Sequence, residues 1–268
     1  MSFAELHHTG KPLLLPNAWD HASAAVLVAE GFPAIGTTSL GVAAAAGLPD
    51  GTGATRDETV ALARRLTRLP CYLTVDIEGG FADDPAEVAA LGAELAALGV
   101  AGVNIEDGRD NGRLADPAHQ QELIAALKAA APGLFVNART DTHWLATGED
   151  PVARVRAYQE AGADGVFVPG LPDETSIAAV VAAADVPVNV LFSPSGPPLD
   201  RLGELGVRRI SCGSLLFRAA LEAVARTAGA VATGGEIPPV PAYADVQALS
   251  SPGTAAAPPP PGSPAAPR

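Results

Sequence analysis

Acidic side chains recur where the short apolar segments of this 268-residue chain end. Asp76 and Glu78 close one such segment, Glu106 closes the next, and Asp50 stands in an earlier loop. Arg139 ends a further segment, and its planar guanidinium is a donor that suits a substrate carboxylate or phosphonate. Carboxylates that are crowded together repel one another unless protons or a cation neutralise them.

Oxygen ligands without His or Cys indicate a hard divalent cation, Mg²⁺ or Mn²⁺, rather than zinc. Such a site keeps waters and leaves room for a chelating anionic substrate. A single acid at a strand end has a simpler explanation, because Asp76, Asp107 or Asp141 can each cap the next helix. The joint pattern of four acids and one arginine favours a metal and anion site over that explanation.

The apolar segments alternate with Ala-rich stretches of helical character. Predicted strands cover residues 13–16, 34–38, 71–76, 102–106, 134–139, 165–168, 187–191 and 209–212. Predicted helices cover residues 21–30, 57–68, 85–98, 117–131, 150–160, 173–184, 198–205, 214–230 and 242–249. The strands are continuous apolar runs, as expected when parallel strands are buried on both faces. Eight strand–helix units predict an α/β fold, the (β/α)₈ TIM barrel, with its chemistry at the C-terminal ends of the strands.

A doubly wound open sheet is the alternative fold. It usually has five or six strands, and a dinucleotide-binding member would carry Gly-x-Gly-x-x-Gly after the first strand. Here Asn-Ala-Trp-Asp follows that strand at residues 17–20. We therefore predict one barrel domain over residues 1–250. Residues 251–268 are rich in Pro and Ala and predict a disordered tail.

Composition and residue positions exclude several classes of binding partner and of catalytic mechanism. The formal charge of −13 argues against a nucleic-acid or anionic-membrane partner. We expect no signal peptide and no membrane span, and two distant cysteines fit a reducing cytoplasm. Neither Lys11 nor Lys128 ends a strand, which excludes a Schiff-base aldolase. The five histidines do not cluster at the spacing of a zinc hydrolase.

Six motifs, taken in order and spacing, resemble the isocitrate lyase/phosphoenolpyruvate mutase superfamily. They are Leu-Leu-Pro-Asn-Ala-Trp-Asp at 14–20, Thr-Thr-Ser-Leu-Gly at 37–41, Leu-Pro-Asp at 48–50, Val-Asp-Ile-Glu-Gly-Gly at 75–80, Asn-Ile-Glu-Asp at 104–107 and Asn-Ala-Arg-Thr-Asp at 137–141. The resemblance spans residues 6–249. It implies a TIM barrel that assembles as a homotetramer, a dimer of dimers whose eighth helix is exchanged between neighbours.

The resemblance also implies roles for individual residues. Asp76 resembles the direct Mg²⁺ ligand, and the ligands that act largely through water are Asp50, Glu78 and Glu106. The substrate carboxylate would lie on the backbone of Ser39, Leu40 and Gly41. Arg139 resembles the second anion contact, and Arg139 and Glu106 are the candidate catalytic residues. Asn189 is a further candidate for substrate contact, although a turn-forming role explains it equally well.

Relatives in this superfamily make or break a C–C or P–C bond next to an enolate of the oxaloacetate or pyruvate type. Our leading hypothesis is a Mg²⁺-dependent lyase that cleaves a C–C bond of a small 2-oxo or 2-hydroxy carboxylic acid, similar to oxaloacetate or methylisocitrate. Lyases of the family carry a Cys-bearing loop after the fourth strand, whereas residues 108–114 contain no Cys, Lys or His. One alternative is a phosphonate-processing enzyme of the phosphoenolpyruvate or carboxyphosphonoenolpyruvate mutase type. The other is a catalytically silent metal- or metabolite-binding barrel.

Overall fold

The computed structural model describes residues 1–109 and 111–250, so the predicted tail at 251–268 lies outside the described residues. Nine parallel strands form one sheet that curls into a nearly closed barrel. They are β1 (Leu13–Leu15), β2 (Asn17–Ala18), β3 (Ala34–Thr37), β4 (Tyr72–Asp76), β5 (Gly102–Glu106), β6 (Phe135–Arg139), β7 (Gly165–Phe167), β8 (Val188–Leu191) and β9 (Arg209–Ser211). The sheet order is β1-β9-β8-β7-β6-β5-β4-β3-β2. The predicted barrel is confirmed.

The first predicted strand is in fact two short strands separated by Pro16. Leu13 of β1 lies opposite Arg209 of β9, and Asn17 of β2 lies opposite Gly36 of β3. Pro16 has no amide hydrogen to donate, but its carbonyl accepts a hydrogen bond from the Gly36 amide at 2.9 Å. β1 and β2 therefore share one strand position of an eightfold barrel and bring its two edges together.

The described residues contain ten α-helices and a short 3₁₀ helix at Glu5–His8. The α-helices are α1 (His21–Ala29), α2 (Ser39–Ala46), α3 (Arg56–Leu66), α4 (Pro85–Ala97), α5 (Pro117–Ala130), α6 (Pro151–Glu160), α7 (Glu174–Ala183), α8 (Leu199–Glu204), α9 (Leu215–Thr233) and α10 (Tyr243–Ala248). An aspartate side chain accepts from a backbone amide at the start of α1, α4, α5, α6 and α7. Proline occupies the first position of α4, α5 and α6, where its missing amide hydrogen costs little.

α2 departs from the prediction, which places no helix between residues 38 and 57. Its sequence ends in four alanines, which favour a helix. Gly47 then ends the helix at a φ of 71°, in the left-handed region that glycine adopts readily. The interior Gly41 and the shortness of the segment hide this signal in the sequence. The helix is important because its first turn faces the mouth of the barrel.

Aromatic residues close the N-terminal ends of the strands. The His7 ring stacks on the Phe135 ring with 4.5 Å between centroids, and Phe3 meets Phe135 edge-on at 5.4 Å. Leu13 and Leu15 pack in the same cluster. We call these five residues the lower plug. Because the plug seals this end, access to the barrel interior is from the opposite end.

α9 differs from the other long helices in how little of it is covered. Phe217 is its only buried residue. Leu221, Val224 and Val231 are 52%, 66% and 63% exposed. By contrast, the largest core cluster takes buried side chains from α3, α4 and α5. No helix in the described part of the chain is both long enough and apolar enough to cross a membrane.

Candidate active site

A cavity of about 280 Å³ opens at the C-terminal ends of the strands. Asp76, Glu106 and Arg139 are the last residues of β4, β5 and β6, and all three line it. Asp50 reaches the cavity from the loop after α2. The structure therefore brings these four side chains together at one mouth, three of them from strand ends.

Arg139 is held rigidly at the wall of this cavity. Its Nη1 lies 2.7 Å from Glu106 Oε2, and its Nε donates to Asp141 Oδ1 at 2.6 Å. The Phe167 ring centroid lies 5.6 Å from the guanidinium carbon and the Trp144 centroid 6.0 Å from it. Burial opposes the charge of Arg139, but the neighbouring acids raise its pKa, so the guanidinium stays protonated. Its planar fork is therefore oriented before any ligand arrives.

A buried network behind Arg139 keeps Asp141 in place. Asp107 Oδ1 accepts from the Asp141 amide at 2.8 Å. The other oxygen of Asp107 accepts from the Tyr158 hydroxyl at 2.6 Å and from Arg154 Nη1 at 3.1 Å. Asp107 is fully buried. Its role is therefore to fix the Asp141 backbone, and it caps no helix.

The acids at the mouth disfavour one another's ionisation. Burial raises the pKa of Asp76 against the opposing charge of Arg139, and Asp50 raises it further. Burial also raises the pKa of Glu106, again against Arg139, with Asp141 adding to the rise. Like charges held together in a low-dielectric site behave in this way. A bound cation would relieve the repulsion.

The first turn of α2 lies at the cavity wall. Ser39 and Leu40 line the cavity, and no side chain caps the helix at Thr38. The first amides of an α-helix have no intrahelical acceptor, so a helix start of this kind is suited to bind an anion. Gly41 does not line the cavity. A Cβ there would lie 2.7 Å from Trp19 Cβ, so the glycine allows α2 to pack closely against Trp19.

Glu78, which the family resemblance implies as a Mg²⁺ ligand acting largely through water, lies outside the cavity lining. Strand β4 ends at Asp76, and Glu78 has a φ of 49°, so the alternation of an extended backbone does not reach it. Its carboxylate accepts from the Gly53 amide at 2.8 Å and from the Thr55 hydroxyl at 2.7 Å. Glu78 thus ties down the segment that follows Asp50.

Asn189 is also buried and does not line the cavity. Its Oδ1 accepts from the Ser211 hydroxyl at 3.3 Å. Asn189 Nδ2 has no acceptor among the described residues. It lies in β8 itself and not in a turn, so the turn-forming explanation does not apply to it.

Asn17 is a site residue that the sequence argument passed over. It lines the cavity, and its Nδ2 donates to the Thr37 carbonyl at 2.8 Å. Its Oδ1 accepts from the amides of Cys212 and Gly213, both at 2.9 Å. One carboxamide therefore joins the ends of β3 and β9 at the mouth. The available signal was a polar residue directly after a buried Leu-Leu-Leu-Pro run.

The oxygen ligands at the mouth are of the kind that a hard cation prefers, but they are not arranged as a complete metal site. No group of three or more His, Cys, Asp and Glu side chains within residues 1–109 and 111–250 has the arrangement of a metal site. Glu106 pairs with Arg139, whereas Asp76 accepts only one hydrogen bond from a described residue, from the Glu78 amide at 3.2 Å. Mg²⁺ needs only one or two carboxylates and keeps several waters. Asp76 and Asp50 therefore fit this ion.

Comparison with known proteins places this chain in a family. The model of the phosphoenolpyruvate phosphomutase family matches residues 3–232. The uncharacterized protein Rv1998c of Mycobacterium tuberculosis H37Rv is 47% identical over 251 residues, which are 92% of this chain and 95% of that protein. The 2-methylisocitrate lyase of Bacillus subtilis 168 is 31% identical over 242 residues, covering 85% of this chain and 79% of the lyase.

A solved structure from Burkholderia cenocepacia J2315, provisionally assigned as a lyase or mutase, has the same fold. Its TM-score is 0.85 at 34% identity, and the match covers 94% of this chain and 95% of that one. The fold and the site define a parallel barrel with acids and an arginine at its mouth. The chain belongs to the phosphoenolpyruvate phosphomutase family, and the predicted superfamily resemblance is confirmed. Members of this superfamily include lyases and phosphonomutases, which supports an enzymatic role.

Proposed function

We propose that the chain is a Mg²⁺-dependent lyase that cleaves a C–C bond of a small 2-oxo or 2-hydroxy carboxylic acid through an enolate. The observation that carries this proposal is the fixed fork of Arg139, which lies in one cavity with Asp76 and the uncapped start of α2. Two anion-binding features in one cavity with cation-binding acids suit a chelating oxo acid. The cavity of about 280 Å³ is at the lower limit of the roughly 300–1,000 Å³ typical of ligand pockets, which favours a small substrate.

Different residues of the mouth would have different roles in such a reaction. The amides of Ser39 and Leu40 bind the carboxylate next to the oxo group. Arg139 stabilises the negative charge that develops as the bond breaks, because Glu106 and Asp141 orient its donors beforehand. Glu106 acts through Arg139 in this scheme.

Asp76 would hold Mg²⁺ directly, and Asp50 would hold it through water. The ion would supply Lewis-acid stabilisation of negative charge on a substrate oxygen. Glu78 would contribute to the Mg²⁺ site only indirectly, because its hydrogen bonds to Gly53 and Thr55 fix the loop that carries Asp50.

The direct experiment measures turnover of oxaloacetate and 2-methylisocitrate with Mg²⁺, after chelation, and after Mg²⁺ is added back. We expect activity to disappear with the chelator and to return with the metal. Asp76→Asn should abolish activity, whereas Asp83→Asn, at an exposed position, should retain it. Activity that survives chelation would contradict the proposal.

The family match also favours a second candidate, a phosphonate-processing enzyme. Phosphorus NMR of phosphonopyruvate distinguishes this candidate from the lyase. Only a phosphonate-processing enzyme moves the phosphorus between carbon and oxygen or releases it. Binding of oxalate with Mg²⁺, without turnover of any of these acids, would instead identify a silent barrel.

We also propose that a second copy of the chain covers α9, within a homotetramer. Leu221, Val224 and Val231 are spaced by three and seven residues, so they form one apolar stripe on an exposed helix. Light scattering is expected to give four chains per particle for the wild type and fewer for Leu221→Glu. A monomeric wild type would refute this assembly.

A further inference from the structure

The segment after β5 folds back on itself as a short hairpin. Gly108 and Leu114 form an antiparallel bridge. The Arg109 amide donates to the Arg113 carbonyl at 2.9 Å, and the Gly112 amide donates to the Arg109 carbonyl at 3.0 Å. The backbone of Arg109 is therefore held at both its amide and its carbonyl.

The Arg109 side chain leaves this hairpin and lines the cavity. Its Nη1 donates to the carbonyls of Glu106 at 3.0 Å and Gly108 at 2.8 Å, and its Nη2 donates to Gln120 Oε1 at 3.3 Å. These acceptors are neutral, and they engage three of the five guanidinium N–H groups. The Nε–H and one Nη2–H have no acceptor among the described residues.

The two arginines of the cavity differ in how their charge is balanced. Arg139 has one carboxylate at 2.7 Å and another at 2.6 Å. Arg109 forms no ion pair with any carboxylate of the described residues, and Asp141, whose charge it feels, already pairs with Arg139. A half-buried cation at a cavity wall whose partners among residues 1–109 and 111–250 are all neutral is suited to bind an anion.

Gly79 provides the space for this arrangement. A Cβ at Gly79 would lie 2.8 Å from Arg109 Nη1 and 3.1 Å from Arg109 Cζ. The guanidinium therefore lies against the backbone of the loop that follows Asp76. A larger side chain at position 79 would have to displace Arg109.

We infer that Arg109 is a specificity-determining residue that binds a second anionic group of the substrate, distal to the carboxylate held at α2. This inference rests on the proposed function, because it requires an acid bound at that first position. The ligand class is a small 2-oxo or 2-hydroxy acid with a distal anion. A carboxylate and a phosphonate share that chemistry.

The test measures binding by isothermal titration calorimetry in the presence of Mg²⁺, so that it does not depend on turnover. 3,3-Difluorooxaloacetate and 2-oxobutyrate share a four-carbon 2-oxo acid skeleton, and only the first has a distal carboxylate. 3-Phosphonopyruvate carries a phosphonate there instead. The key variant is Arg109→Gln, and Arg113→Gln is its matched control, because it removes the same charge from an exposed position of the same hairpin.

We expect Arg109→Gln to weaken binding of the dicarboxylate by about tenfold to hundredfold, as for a lost charged hydrogen bond. Binding of 2-oxobutyrate should be unchanged, and Arg113→Gln should leave both affinities unchanged. Gly79→Ala keeps the charge but displaces the guanidinium, so it should weaken dicarboxylate binding in the same direction. A larger loss for phosphonopyruvate than for the dicarboxylate would assign the distal group as a phosphonate.

An effect of Arg109→Gln that is equal on all three acids, or absent, overturns the inference. If the wild type binds 2-oxobutyrate but prefers neither dianion, the inference fails and the proposed function stands. If the wild type binds none of the three acids, the proposed function fails and the inference fails with it.

Discussion

At the lower plug, the Phe135 ring is covered by His7 and Phe3, whereas at the mouth the carboxylates of Asp76 and Glu106 line an open cavity. Of the plug side chains only the His7 ring is polar, and its Nδ1 lies 3.1 Å from the Phe3 carbonyl oxygen. The mouth instead buries like-charged groups, and burial, with a smaller contribution from their mutual repulsion, raises the pKa of both carboxyls. The same strands run through both ends, so the contrast is one of side chains and not of backbone.

The comparison separates residues that stabilise the barrel from residues that await a ligand. Buried aromatic packing stabilises a fold directly. Clustered acids destabilise it until a proton, a cation or a partner arrives. Substitutions at the plug should therefore change stability, and substitutions at the mouth should change activity.

The largest effect on stability is expected at Phe135. Phe135→Ala removes the ring that both His7 and Phe3 contact, and it should lower the free energy of unfolding by about 3–5 kcal/mol. Denaturant unfolding measures this loss. Tyr72→Ala, at a more exposed ring that also contacts Phe3, should cost less. Reduced turnover by folded Phe135→Ala would contradict the separation of the two ends.

Arg139→Ala is the matching change at the mouth. Loss of a preorganised donor should lower turnover by a factor of about 10²–10³, equivalent to roughly 3–4 kcal/mol of barrier. Arg201 provides the control, since it also pairs with two acids, Glu174 and Glu204, but on the exposed surface. Arg201→Ala should retain full turnover. Similar losses of turnover in Arg139→Ala and Arg201→Ala would contradict a catalytic role for Arg139.

A pH experiment examines the plug through His7. Burial lowers the pKa of His7 to about 4 in the folded chain, from 6.5 when it is exposed. The neutral ring is therefore favoured by folding, and its contribution is complete above pH 6.5 and is lost as pH falls toward 4. The loss amounts to about 3 kcal/mol.

His7→Gln should abolish this component, so the stability difference between wild type and variant should shrink as pH falls from 7 to 4. His8→Gln, at the exposed neighbour, should keep the wild-type profile. Parallel pH profiles for wild type and His7→Gln would show that the ring is not buried in its neutral form.

The smallest change in stability is expected at Glu78, which is neither a plug residue nor part of the cavity lining. Glu78→Gln weakens the bonds to Gly53 and Thr55 and should cost about 1–2 kcal/mol of stability. Turnover should fall less than in Arg139→Ala, because only the loop after Asp50 is loosened. Thr55→Val removes one of these two bonds from the other side, so the double variant should lose little more than Glu78→Gln alone. Fully additive losses would argue against this shared bond.

Much of the architecture was predictable because each strand–helix unit carries local sequence signals. Apolar runs mark the strands, and prolines at the starts of α4, α5 and α6 mark helices where the structure has them. α2 was missed because an eight-residue helix with an interior glycine has few local signals. The break at Pro16 was missed because a strand that pairs with two different neighbours looks continuous in sequence.

The site was predictable only as far as strand geometry extends. Asp76, Glu106 and Arg139 are the last residues of their strands, so the rule for barrel mouths applies to them. Glu78 lies two residues beyond its strand, where a positive φ redirects the chain. The inward turn of Arg109 depends on contacts that the loop after β5 makes with Gln120 and Gly79, which no local pattern encodes.

The divided first strand also has a consequence for how the chain reaches its native state. Asn17 bonds to the amide of Gly213, 196 residues further along, and β1 pairs with β9 in the same region. Ring closure is thus among the most non-local events in folding, and contacts of this kind form slowly. On the ribosome, the first strand must wait for β9 to emerge before the cavity that Asn17 lines is complete.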